Sequence, residues 1–208
     1  MAAGSGSRFG GAKQFVELAG RRLVDHAVDV ARARSAGVVA VTPSGEHVAG
    51  ADLSVAGGST RSASVRAGLA AVPGSASVIV VHDAARPLAG TGLFDAVLDA
   101  IAAGADAAVP AVAVIDTLRE RDGGVVDRDR LVAVQTPQAF RAAALRAAHA
   151  SAPEATDDAA VVESSGGRVV LVEGDRWNLK VTEPSDLLVA EAVAGSREPA
   201  AGDRVSGR

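Results

Sequence analysis

The sequence contains no cysteine, which excludes disulfides, thiolate metal sites and cysteine nucleophiles. It has no tyrosine, one tryptophan and four phenylalanines, so aromatics make up 2% of its 208 residues. A core must come from Val, Leu, Ile and Ala. No apolar run reaches the roughly 18 residues of a membrane-spanning helix. Met1 to Gly11 is Gly/Ser-rich and has no apolar segment of a secretory signal. Positive charge is not in excess either: the formal net charge is −4. A broad nucleic-acid surface is usually basic, so none is expected. These absences lead to the expectation of a cytoplasmic protein with neither a membrane nor a nucleic-acid partner.

The residues present are 48% hydrophobic and 22% charged, enough for a sizeable core. Short β-branched runs alternate with longer Ala/Leu patterns. Gly37–Val41, Val78–His82, Ala107–Val114 and Arg168–Val172 read as buried strands, with Pro110 as a kink or break in the third. Helical spacing links Leu23, Val24, Ala27, Val28 and Ala31, and again Leu93, Val97, Leu98 and Ile101. Further helices are expected over 63–72, 140–150 and 157–164, and after Pro184. Alternation of this kind predicts an α/β fold, a mostly parallel twisted sheet with helices on both faces. Arg119 to Arg130 is charged around a central Gly-Gly and reads as a hairpin or projecting arm. The polar, Gly-rich end from Ser196 to Arg208 reads as a disordered tail.

Several segments could carry chemistry. Ala2-Ala3-Gly4-Ser5-Gly6-Ser7-Arg8, followed by Lys13, combines small residues with two cations. Small residues let backbone N–H groups approach an anion, and Arg grips phosphate through two donors. The spacing is neither a Walker A loop nor a dinucleotide fingerprint, since Phe9 holds the third glycine position. By itself the segment fits a phosphate cradle and a flexible tail equally.

In Val81-His82-Asp83-Ala84-Ala85-Arg86-Pro87 a carboxylate stands just past a buried strand, where open α/β sheets place ligands. One carboxylate there suits Mg2+ shared with phosphate oxygens. Function outweighs an ordinary cap at that position. For Gly57-Gly58-Ser59-Thr60-Arg61-Ser62-Ala63-Ser64 the weighing goes the other way, because Ser/Thr helix caps are common. Lys180 lies in the β-like run Trp177–Thr182 and could project into a cleft, though a lone Lys in a strand is usually a solvated edge charge. Thr136-Pro137-Gln138 and Thr156-Asp157-Asp158 resemble ordinary turns and caps. The four histidines lack metal-ligand spacing, and no Ser-His-Asp triad with a nucleophile elbow is present.

Taken in order, AAGSGSRFG with Lys13, GGSTRSASV, VHDAARP, Asp116-Thr117, QTPQAF, TDDA and NLKVTEPSDL resemble the 2-C-methyl-D-erythritol 4-phosphate cytidylyltransferase family. The likeness runs from about Ala2 to Ala194. It implies transfer of CMP from CTP to methylerythritol phosphate, with release of pyrophosphate, in non-mevalonate isoprenoid synthesis. It implies a Rossmann-like single domain over residues 1–195, an arm at about 118–134 that interlocks a homodimer, and Mg2+ or another divalent cation as cofactor.

The resemblance also implies residue roles. Ala2, Ala3, Gly4 and Gly6 would wrap the CTP phosphates, with Arg8 and Lys13 neutralising them. Gly58, Ser59 and Ser64 would contact the cytosine and nearby nucleotide edge. Asp83 would hold the metal and Ala84 would line the ribose. Thr117 and Lys180 would face the reacting phosphates, with Arg8, Lys13 and Lys180 as the catalytic cations. Arg128 would reach the acceptor phosphate in the neighbouring subunit's site. Arg86, Thr136 and Thr156 would shape the pocket.

Three departures accompany the likeness. The family has a hydrophobic strand leading into the Ala-Ala-Gly loop, and Met1 stands where that strand ends, so the first strand is expected to be missing from this chain. Ala12 replaces a proline, and Ser44 to Leu53 is a compressed connection. Ribitol 5-phosphate or another polyol phosphate is the nearest alternative acceptor. More distant alternatives are a sugar-1-phosphate or molybdopterin-type nucleotidyltransferase and a degenerate, non-catalytic nucleotide-binding dimer.

Overall fold

A computed structural model describes residues 1–4, 6, 9–151 and 153–197. The predicted Arg8 contact and most of the predicted tail lie outside these residues. Ser196 and Arg197 close the last helix instead.

The chain opens with a loop and a 3-10 turn at Lys13–Phe15, then a small hairpin of β1 (Glu17–Leu18) and β2 (Arg21–Arg22). Its turn places Ala19 and Gly20 at positive φ. Helix α1 (Leu23–Arg32) buries Leu23, Val24, Ala27 and Val28 on one stripe, as its 3.6-residue period requires. Strands β3 (Val39–Thr42) and β4 (Leu53–Ala56) pair in parallel and lead to α2 (Arg61–Ala71), β5 (Val78–Val81) and α3 (Thr91–Ala102).

Strand β6 (Ala107–Ala113) enters the arm, formed by β7 (Leu118–Arg119) and β8 (Val125–Val126) as a hairpin and a 3-10 turn at Arg128–Arg130. The chain returns through β9 (Val132–Val134) and β10 (Gln138–Arg141). Helices α4 (Ala142–His149) and α5 (Asp158–Ser164), strand β11 (Val169–Glu173) and helix α6 (Pro184–Arg197) complete it.

The five-stranded sheet has the order β11-β6-β10-β5, with β9 also on β6. It is mixed: β10 and β9 run against the shared direction of β5, β6 and β11, an antiparallel insertion into the expected mostly parallel arrangement. Strand β10 runs antiparallel to both β5 and β6, so β5, β6 and β11 share one direction, and β11 pairs with β6 in parallel. The cause is the arm: a chain that leaves along β6 and returns beside it must come back in the opposite direction. Its return pairs Val134 with Ala111 and then Ala139 with Ala108, a shift of two residues at Gln135–Pro137. Pro110 breaks nothing. It sits inside β6 where pairing passes from β10 to β9, so its missing N–H falls at the junction, and its carbonyl accepts from Gln135 N at 2.7 Å.

Helices cover both faces. On one, Val65 and Leu69 of α2, Leu145 of α4 and Val161 and Val162 of α5 enclose Ile79, Val81 and Phe140. On the other, Val97 and Ile101 of α3 cover Ala108 and Ala139. Among the described residues no helix is long and apolar enough to cross a membrane. Two other expectations change. The helix expected over 140–150 starts at Ala142, because Phe140 is a fully buried strand residue. The β-like run holding Lys180 forms no strand and is a loop.

Candidate active site

Four sequence-distant segments meet beyond the end of β5. The first is the turn after Val81. His82 is buried, its ring edge-on to Phe94 at 5.4 Å. Asp83 follows, its backbone N–H donating to the Thr136 hydroxyl at 3.0 Å. Buried Thr136 therefore braces the turn from β10's side. Ala84 is buried and donates its N–H to Met1 O.

The second segment is the 178–182 loop. Lys180 Nζ donates to Asp83 Oδ2 at 2.6 Å. Val181 N donates to Ala85 O at 2.8 Å, which fixes the loop on the turn. Asn178, fully buried, donates through Nδ2 to Thr136 O at 2.9 Å. Arg86 donates to the carbonyls of Asn178 and Val134 at 2.7 and 3.3 Å. Its guanidinium is a brace across three segments.

The third segment is the N-terminal loop. Gly6, at φ +65, accepts at its carbonyl from Phe9, Gly10 and Gly11 N–H groups. A Cβ on Gly6 would stand 1.7 Å from Gly11 O, so no other residue fits. Lys13 Nζ donates to Val181 O at 2.8 Å, beside Lys180. Gly4 is open to solvent, and Ala3 abuts Gly57, where an added Cβ would fall 2.4 Å from the Ala3 Cβ.

The Gly57–Ser64 turn is the fourth. Thr60 caps α2 by accepting from Ala63 N at 3.0 Å. Gly58 and Ser59 are exposed. Ser64 is buried, and its hydroxyl faces Thr60 O at 2.9 Å and Gly58 N at 3.1 Å, so it holds the loop's shape. Arg61 forms an ion pair with Asp158 Oδ2 at 2.7 Å, and His149 Nε2 lies 3.0 Å from the other oxygen. Sequence reasoning missed this Arg61–Asp158–His149 cluster and the Asn178 anchor. The available signals were an Arg within the Gly-rich motif, the doubled Asp157-Asp158 and the Asn beside Lys180.

The remaining expected site residues lie further out. Thr156 is exposed just ahead of α5. Thr117 is exposed at the base of the arm, and Arg128 lies on its 3-10 turn. Within this one chain Arg128 donates to Ile115 O, so the described contacts do not bring it to Asp83.

The electrostatics follow from burial and pairing. Burial pushes His82 down to about 3, and the nearby Met1 amino charge adds to it, so the ring is neutral. Burial opposes ionisation of Asp83, yet the Lys180 ammonium, by charge and hydrogen bond, outweighs it. With the Met1 amino group and Arg61 adding their charge, the carboxyl stays well below the usual range. Asp83 is thus an anion among cations. Among the described residues no group of three or more His, Asp or Glu could cage a metal ion. A lone ionised carboxylate does fit Mg2+, which keeps several waters and takes substrate phosphates as its other ligands.

The profile of the family described as IspD, 2-C-methyl-D-erythritol 4-phosphate cytidylyltransferase, matches residues 1–196. A protein of that name from Rubrobacter xylanophilus is 41% identical, over 95% of this chain and 94% of its own length. The bifunctional enzyme IspD/IspF of Clavibacter michiganensis is 44% identical over 99% of this chain, which spans 56% of that relative's length. The crystal structure of the cytidylyltransferase from Thermus thermophilus superposes with a TM-score of 0.80 at 40% identity, covering 93% of this chain and 96% of that one. With the profile spanning nearly the whole chain and the fold shared, this protein belongs to the 2-C-methyl-D-erythritol 4-phosphate cytidylyltransferase family.

Proposed function

We propose that this chain transfers CMP from CTP to 2-C-methyl-D-erythritol 4-phosphate, giving the diphosphocytidyl product and pyrophosphate. The observation that carries the reading is the convergence of Lys13, Lys180 and Asp83 on one strand end, through Val181 O and the 2.6 Å ion pair. An oxygen of the acceptor phosphate forms the new bond to the α-phosphorus of CTP, and the bond from that phosphorus to pyrophosphate breaks. The acceptor phosphate is already anionic near neutral pH, so no general base is needed. The barrier is the approach of one anion to another, and fixed cations offset that repulsion.

Lys13, Lys180 and Arg8 would face the α-phosphate and the departing pyrophosphate. Ala2, Ala3, Gly4 and Gly6 would present backbone N–H groups to the phosphates. Gly58 and Ser59 would meet the base, with Ser64 shaping their loop, and Ala84 the ribose. Thr117 would lie toward the reacting phosphates, and Thr136 and Thr156 would line the pocket. Asp83 would hold Mg2+, which supplies charge neutralisation at the phosphates when bound. Exposed Ile115, Val125, Leu131, Val132 and Val134 on and beside the arm support its burial in a homodimer, bringing Arg128 to the partner's acceptor phosphate. The reading is of a cytoplasmic enzyme with small-molecule substrates and no nucleic-acid partner.

Pyrophosphate release tests the proposal, with CTP, Mg2+ and either methylerythritol phosphate or ribitol 5-phosphate. Turnover with the first acceptor alone is expected. Turnover with only the second, or binding of CTP with no turnover on either, overturns it.

A further inference from the structure

The Gly57–Ser64 turn has little of its own to hold it. Gly58, Ser59 and Thr60 are exposed, and an exposed Gly-rich segment keeps one shape only when its ends are fixed. The fixing comes from the start of α2, where the residues that follow the turn are fastened to the segment between α4 and α5. Ser62 Oγ donates to Ala155 O and accepts from Ala155 N, both at 3.0 Å. Arg66 reaches Glu154 at 2.9 Å, with the carboxylate exposed, a kind of pair that contributes little. Arg61, the first residue of α2, pairs with Asp158, the first of α5, at 2.7 Å.

This last pair differs from the others in burial. The Asp158 side chain is 1% exposed and that of Arg61 29%. A buried ion pair adds little net stability, because desolvation of its charges offsets their attraction. What it supplies is a fixed geometry for whatever it holds. Three helix ends meet there. His149, the last residue of α4 and itself buried, donates from Nε2 to Asp158 Oδ1 at 3.0 Å. The carboxylate is thereby kept from turning, and Oδ2 is left to Arg61. Arg61 Nη1 and Asp158 Oδ2 lack the alignment of a hydrogen bond, so charge joins them. Against the burial that opposes ionisation of Asp83, Arg61 adds its charge to that of Lys180, so its field reaches the strand-end cleft.

We propose that Asp158, steadied by His149, is a positioning residue for the nucleotide: by its charge it holds Arg61, and through Arg61 it sets the Gly58–Ser59 turn in the shape that reads the base. The inference rests on the reading of that turn as the base contact. Two sets of charges then differ in what they govern. Lys13, Lys180 and Asp83 act where phosphate charge moves, so their loss is felt in kcat. The Arg61–Asp158–His149 cluster acts on the shape of the turn, so its loss is felt in how tightly CTP binds. It is also felt in how well CTP is told from UTP, which differs from it at the N3–C4 edge of the base. A turn that offers backbone N–H and C=O groups to a base edge discriminates only while those groups stay in register, since the wrong base leaves them unpaired.

Calorimetric titration with CTP, and competition between CTP and UTP, test the cluster without an acceptor. Asp158→Asn keeps the size of the side chain and an oxygen for His149 but removes the charge. It is expected to raise the Kd for CTP about tenfold and to narrow the preference over UTP, with a much smaller effect on kcat at saturating CTP. Arg61→Gln should do the same, and the double variant no more than either alone, because all three remove one contact. Arg61→Lys should recover part of the affinity, since it keeps the charge. If Asp158→Asn does not fold, Arg61→Gln, at the open end of the cluster, decides by the same Kd and the same preference. An unchanged Kd in the folded variants, equal weakening of CTP and UTP, or effects that add in the double variant overturns the proposal. A wild-type chain that binds neither nucleotide overturns the proposed function and this inference with it. A wild type that binds CTP, beside variants that bind it equally well, overturns the role of the cluster alone.

Discussion

Lys180 donates to Asp83 at 2.6 Å across 97 residues of sequence, and this ion pair joins the turn after β5 to the loop before α6. The Lys180 side chain is 42% exposed and that of Asp83 13%. The carboxylate is therefore the enclosed partner, and the ammonium can swing toward a ligand without being dragged from burial.

Lys13→Ala and Lys180→Ala are each expected to lower kcat about a hundredfold, with little change in the KM for CTP. A cation that matters when charge moves at the α-phosphorus acts on the transition state more than on binding. Steady-state pyrophosphate release measures both parameters. An unchanged kcat in both variants would remove these residues from the catalytic set.

Arg128→Ala should raise the KM for the acceptor and leave that for CTP near its starting value. The same assay, run with each substrate varied in turn, gives the split. Equal effects on both KM values would count against a contact made only with the acceptor.

Acid should weaken the fold through His82. Its folded value of about 3 lies below the unfolded value, so the unfolded chain binds the extra proton between roughly pH 6.5 and 3. Stability is full above that window and declines as pH falls through it. Asp83 acts further down: its lowered value adds stability above about pH 4 that is lost as the pH falls through the folded value. Thermal melting of the wild type and Asp83→Asn should therefore show a Tm difference that narrows below pH 4. A difference independent of pH would dissociate it from the charge on Asp83.

Gly6→Ala should distort the phosphate loop, because the added Cβ meets Gly11 O at 1.7 Å and the backbone sits at φ +65. The expected result is a KM for CTP raised tenfold or so with a Tm nearly unchanged, since such strain in a surface loop is about 1–3 kcal/mol and can be relieved locally. Calorimetry alongside CTP titration checks both halves.

Arg86→Ala is a stability variant. It leaves the carbonyls of Asn178 and Val134 without their donor, a loss of about 2 kcal/mol. Urea unfolding measures it, and Arg86→Lys should recover only part, since one ammonium does not span both carbonyls as the planar fork does.

Periodicity located α1, α2, α3 and β5 to within a few residues, because each buries a face whose spacing is local. Strand β10 was illegible: Gln138–Arg141 is short, abuts a helix, and is a strand only because β5 and β6 flank it. The loop character of Lys180 was hidden for the same reason. Its neighbours have strand propensity, and tertiary bonds from Val181 to Ala85 and from Asn178 to Thr136 override it. Asp83 could be read from its place at a strand end, yet its partner could not. Nothing local in either segment records a contact between them. Arg128 was legible only through the resemblance, and the single chain leaves it on Ile115 O.

Lys13 bonds the carbonyl of Val181 across 168 residues, and Lys180 reaches back 97. During synthesis, then, the glycine loop and the Asp83 turn leave the ribosome long before the segment that unites them. A nascent chain arrested ahead of residue 180 would carry most of the sheet and no assembled centre. Contacts of such separation also form late and slowly, so the appearance of a competent site should lag behind the bulk of the secondary structure when the denatured protein refolds.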